Sequence, residues 1–169
     1  MISLQPGDVF CTRNPMVLGR AICFVQKIHA SDNQAEYSHS GVILDKGGTT
    51  FEALWTNKRQ NLFHAYQGKK VLIGRHDKMT PEAFQKGWEK IKRHEGHWYA
   101  GHRLAFFLVP FVAKYLNVGL GVCSELTAKF IAGTGIIPGF YWKGKNPDHI
   151  ADMIHRWKGW HVAYEDILK

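Results

Sequence analysis

Acidic residues are scarce in this 169-residue chain: 14 Asp and Glu stand against 22 Lys and Arg, a formal charge of +8 with a pI near 9.5. Such an excess attracts anionic partners, such as nucleic acid, phospholipid headgroups or a bacterial wall. The cations are scattered, however (Lys69-Lys70, Lys90 to Arg93, Lys143 to Lys145), and no long basic run selects among them. Cysteine is also sparse. Cys11, Cys23 and Cys123 are an odd number, which argues against a disulfide framework and for a reducing compartment at synthesis. No long apolar run is present: Leu104 to Val122 is interrupted by Pro110, Lys114 and Asn117. Its unbroken part is about ten residues, short of the roughly 20 that span a bilayer. The opening Met1 to Asp8 has neither a basic start nor an apolar run, so general export is not expected and synthesis is expected to be cytoplasmic. Repeats, low-complexity tracts and Ser/Gly linkers are missing too, which leaves a single domain over residues 1–169. That length buries a sizeable core unaided.

What is present is a globular composition, 45% hydrophobic and 13% aromatic, with ten histidines. Pro6 to Thr12 reads as a turn and a short strand. Met16 to His29 carries apolar side chains at helical spacing, with Cys23 as a core thiol. Ser38 to Leu44 and Thr49 to Trp55 are strand candidates joined by Asp45-Lys46-Gly47-Gly48, a hairpin signal. A third strand covers Val71 to Arg75. Thr80-Pro81-Glu82 caps a helix running to about His94. Another helix is expected from Cys123 to Ala132, stopped by Gly133, and a last one from Asn146-Pro147-Asp148. Strands and helices mix without βαβ alternation, so the class is α+β, with a small antiparallel sheet packed against helices.

Three side chains in this framework suit nucleophilic chemistry by cysteine, which needs a thiolate, a histidine beside it and a polar group to orient the ring. Cys123, in Gly-Val-Cys-Ser-Glu-Leu, falls in the first turn of a helix. There the macrodipole lowers a thiol pKa and backbone N–H groups are available to an oxyanion. His39 lies on a strand among small residues in Tyr-Ser-His-Ser-Gly-Val. Glu52 is an acid inside the apolar strand Phe51-Glu52-Ala53, where a carboxylate is costly unless paired. A two-residue loop at Lys46-Gly47 makes paired numbers sum to 93, setting Gly41 opposite Glu52 and His39 opposite Leu54. His39 and Glu52 are then diagonal neighbours on one face, whereas a one-residue slip separates them. Tyr37, two residues before His39, is expected on the same face of the strand. With Ser38 and Ser124 it makes up the expected substrate-binding set.

The order His, then acid on the next strand, then Cys resembles the circularly permuted branch of the NlpC-type papain-like cysteine hydrolases. The chain is similar to the YiiX-like members of that branch, and distantly to lecithin:retinol acyltransferase-like proteins. The matching pieces are Pro6 to Phe10, Tyr37 to Val42, Phe51 to Ala53, Val71 to Arg75, Trp98-Tyr99, Cys123 to Leu126 and Asn146 to Asp148. Ser40 stands where the family usually has Val, and the apolar insert before Cys123 is longer than the pattern. The resemblance implies a permuted papain-like fold, with Cys123 as nucleophile, His39 as general base then acid, and Glu52 as orienter.

The expected function is cleavage of a peptide or isopeptide amide, with bacterial cell-wall peptides as the favoured substrate and an anionic envelope or membrane surface as a possible contact. The alternatives are acyltransferase or thioesterase chemistry on lipid acyl groups, and a non-enzymatic basic binding protein. No helix-turn-helix, zinc finger or RNA-sheet motif supports nucleic-acid binding. His94-Glu95-Gly96-His97 with His102 lacks the HExxH spacing, and Gly119-Leu120-Gly121 is no nucleotide fingerprint, so neither a metal nor a cofactor is expected. Leu104 to Leu116 is apolar at nearly every position, more than one buried helical face requires. Part of it is expected to form an exposed wall beside Cys123, and burial of Phe106, Phe107, Phe111 and Tyr115 would exclude that.

Overall fold

The computed structural model describes residues 2–13, 36–54, 56–97 and 122–169. The expected helix at Met16 to His29 with Cys23, the Trp98-Tyr99 pair, His102 and the apolar stretch with Phe106, Phe107, Phe111 and Tyr115 lie outside these residues. The described elements run β1 (Val9–Thr12), β2 (His39–Ile43), β3 (Thr49–Ala53), β4 (Asn57–Asn61), α1 (Leu62–Tyr66), β5 (Lys70–His76), α2 (Pro81–Ile91), α3 (Val122–Thr134), α4 (Pro147–Arg156) and β6 (Trp160–Ile167). The class is α+β. Six strands form one antiparallel sheet in the order β4-β3-β2-β1-β5-β6.

Strand β1 holds the centre of the sheet because Val9, Phe10 and Cys11 are apolar on consecutive positions and so suit burial on both faces. Alternation divides the core in two. Val9, Cys11, Val42, Phe51 and Leu72 join Leu126, Phe130, Ile131, Ile150 and Ile154 of α3 and α4. Phe10, Ile43, Val71 and Ile73 pack instead with Leu62 and Tyr66 of α1 and with Leu168.

Helix α2 starts as its sequence dictates. Thr80 accepts from Ala83 N–H, Pro81 follows, and a 3₁₀ turn over Lys92–His94 completes it. The start of α4 is also as expected, with Asn146 and His149 in a reciprocal capping box. The expected stop of α3 is corrected. The helix passes through Gly133 and ends at Thr134, followed by Gly135 at φ +72°. Gly133 serves packing instead: a Cβ there would lie 2.7 Å from the Lys90 side chain and 3.1 Å from Gly87 Cα, so α2 and α3 approach closely.

Two strands and one helix had no sequence signal. Strand β4 is Asn-Lys-Arg-Gln-Asn, poor in strand formers, and exists because the open edge of β3 pairs with it. Strand β6 is mostly exposed and, among the described residues, pairs with β5 alone. The five-residue α1 is capped by the side chain of Asn61 and is too short to show a period.

Candidate functional site

The register of the β2–β3 hairpin is the expected one: Gly41 faces Glu52 and Val42 faces Phe51. One detail is corrected. The β2–β3 pairing ends at Gly41 and Glu52, and Leu54 turns away to donate its N–H to the Thr56 carbonyl, so His39 has no partner on β3 and pairs only across its other edge, with Thr12 of β1. His39 and Glu52 nonetheless share the face toward α1, and His39 Nε2 lies 2.7 Å from Glu52 Oε2. Gly41 makes this possible. A Cβ there would sit 2.6 Å from the Phe10 ring and 2.9 Å from Glu52 Cγ, in the space the two side chains occupy.

Glu52 is 0% exposed, and a buried carboxylate needs donors. Besides His39 it accepts from Thr50 Oγ1 at 2.5 Å and from the Tyr66 hydroxyl. Gln60 Nε2 donates in turn to the Tyr66 oxygen at 3.2 Å. Burial pushes the Glu52 carboxyl up, but the hydrogen bond and charge of His39, with Thr50 and Tyr66, outweigh it and hold the group below its ordinary range. The same charge on Glu52 adds to burial in driving the Tyr66 hydroxyl up, so it stays a donor. Thr50 and Tyr66 were not anticipated as parts of the site. Thr50 shares the face of Glu52 two residues away, a signal the sequence does contain; Tyr66 depends on α1, which it does not reveal.

Cys123 is the second residue of α3. Its thiol lies 3.9 Å from the Ser38 carbonyl oxygen and is next to the His39 ring, which bears on its charge. Because Nε2 of His39 faces Glu52, Nδ1 is the nitrogen left for the thiol. Burial raises the Cys123 pKa, yet the His39 charge and hydrogen bond, together with the backbone N–H groups of Ser40 and Ser124, bring it below the ordinary thiol value. For His39, burial favours the neutral ring, and the facing Cys123 and Glu52 reverse that and raise its pKa. The arrangement therefore favours the charged thiolate and imidazolium forms over the neutral pair, with a carboxylate behind the ring. Cys11 contrasts with it: burial first, then Cys123 and Asp148, push its thiol well above the usual value.

Tyr37 does not share the His39 face. Strand geometry begins only at His39, and the Tyr37 N–H is held by Asp148 Oδ1 at the start of α4, which turns the residue to the helix side of the sheet. Its ring belongs to the α3–α4 cluster and its hydroxyl donates to Glu165 Oε1 at 2.9 Å. The Ser124 hydroxyl is fully buried and donates to the Lys145 carbonyl at 2.6 Å, so of this residue it is the backbone N–H that meets the thiol. Ser38 contributes its carbonyl. His94 Nε2 lies 2.8 Å from Lys129 Nζ, and among the described residues no group of three or more His, Cys, Asp or Glu side chains is placed to hold a metal ion.

No family model and no curated protein matches this sequence. Among solved structures, the chain is similar to metalloprotein YiiX from Escherichia coli O157:H7, at 20% identity and a TM-score of 0.55 over 95% of this chain and 89% of that one. At that identity the likeness speaks for the fold, and the chain has a YiiX-like fold.

Proposed function

We propose that this chain is a cysteine hydrolase with a permuted papain-like arrangement, cleaving a peptide or isopeptide amide, with bacterial cell-wall peptides as the favoured substrate. One observation carries the reading: a thiol, an imidazole and a carboxylate, from α3, β2 and β3, stand in series, with the imidazole and carboxylate buried and hydrogen-bonded to each other. The Cys123 thiolate attacks the carbonyl carbon to form a C–S bond. In this reading backbone N–H groups in the first turn of α3 stabilise the developing oxyanion. As the C–N bond breaks, the His39 imidazolium gives its proton to the leaving amine. Water then loses a proton to His39 as its oxygen attacks the thioester carbonyl; the C–S bond breaks, the acid leaves and the thiolate–imidazolium pair returns. Glu52 holds the ring orientation and favours its cationic form throughout.

YiiX is named a metalloprotein; in this chain His39 Nε2 and Glu52 Oε2 hydrogen-bond each other directly at 2.7 Å, and no step of the reading is routed through a metal.

Purified peptidoglycan incubated with the protein tests the reading. Release of amine and carboxyl termini, abolished by Cys123→Ala, supports it. Acyl transfer from lipid vesicles with no peptide release would replace it with the lipid alternative.

A further inference from the structure

After α3 ends, residues 135–146 return along that helix toward its start, where the chain is fastened beside the thiol. Ser124 Oγ donates to the Lys145 carbonyl at 2.6 Å, and Gly144 N–H donates to Glu125 Oε1 at 3.2 Å. Between these ends the strap carries Phe140-Tyr141-Trp142-Lys143. Tyr141 is 66% exposed, and Trp157, packed edge-on against Phe140 with centroids 6.0 Å apart, is 44% exposed. Ammonium groups surround these rings: Lys129 at 5.6 Å and Lys143 at 5.8 Å from the Trp142 centroid, and Lys145 at 5.7 Å from Phe140. Among the described residues none of the three lysines has a carboxylate partner, since Glu125 is engaged by the backbone of the strap itself.

We propose that this strap is a docking surface for an anionic phospholipid bilayer, which it holds against the start of α3. Exposed Tyr and Trp settle at the headgroup level, where each ring has one wet and one apolar end. Lysines among them meet lipid phosphates and add roughly 1 kcal/mol each. Lysines lie over the Trp142 and Phe140 rings, so those two faces are not open to stacking by a sugar or a base. The surface is independent of the chemistry proposed for Cys123.

Co-sedimentation of the full chain with phosphatidylcholine vesicles, with and without phosphatidylglycerol, tests the docking without reference to activity. Binding is expected only to the anionic vesicles and should weaken with added salt. Lys143→Glu should weaken it about tenfold or more, given the loss of one attraction and gain of one repulsion. Tyr141→Ala and Trp157→Ala should each cost roughly threefold or more. Lys46→Glu, with the same change of net charge on the exposed hairpin turn, should cost less than about threefold. No binding, or equal losses for Lys46→Glu and Lys143→Glu, would overturn the proposal. So would competition by a DNA oligonucleotide through the same lysine, which would mark a polyanion site instead.

Discussion

At the scale of single residues, Glu52 is the most demanding side chain in the site: fully buried, ionised, and dependent on three donors. A hydrogen bond to a charged group contributes about 1.5–3 kcal/mol, so Tyr66→Phe should lower urea-unfolding stability at neutral pH by that amount. It should also raise the pH at which Cys123 becomes reactive, because a less anionic Glu52 supports the imidazolium less. The folded pKa of Glu52 is depressed, so its stabilisation is present above the ordinary carboxylate pKa and is lost as pH falls through the lower folded value. The stability gap between wild type and Glu52→Gln should therefore close on acidification, which paired denaturation curves across that range would show. Cys11 and Cys123 should separate just as clearly. Brief iodoacetamide treatment followed by peptide mass spectrometry should find Cys123 modified while Cys11, 0% exposed with a raised pKa, stays intact until the protein unfolds.

At the scale of elements, close approach sets the layers. Gly74 lies at the irregularity of β5, and a Cβ there would come 2.3 Å from Ile154 Cγ1 of α4, itself 1% exposed. Neither side can yield, so Gly74→Ala should cost about 1–3 kcal/mol by overpacking. Thermal melts should show that as a fall of about 3–10 °C for a domain of this size. What the sequence made legible follows the same local logic. Caps at Thr80 and Asn146, the Lys46-Gly47 turn and the register it sets are determined within a few residues, and that register alone puts His39 and Glu52 on one face. The edge strands β4 and β6 have no such local cause; they form because a neighbouring strand offers unpaired backbone. Tyr66 was hidden for that reason, since α1 follows β4. Tyr37 was misplaced because alternation was extended two residues beyond the strand, into a segment held by Asp148.

At the scale of the molecule, the sheet joins residues from both halves of the chain, and its far edge has an acid-sensitive point. His76 is 5% exposed, stacked edge-on to Trp160, and its Nδ1 accepts from Lys78 N–H. Burial depresses its pKa, so it contributes fully above the ordinary histidine value and its contribution declines as pH falls below it. His76→Gln should flatten the pH dependence of stability in that window. The central claim, however, is that the fold keeps Cys123 as a thiolate by means of His39. The rate of Cys123 alkylation by iodoacetamide as a function of pH, in wild type and His39→Ala, tests it most directly. The account predicts that wild type reacts on an acid-shifted curve, with its midpoint below the ordinary thiol pKa of about 8.5, and that His39→Ala returns the midpoint to that value or above. A wild-type midpoint at the ordinary thiol value, unchanged by His39→Ala, would contradict it.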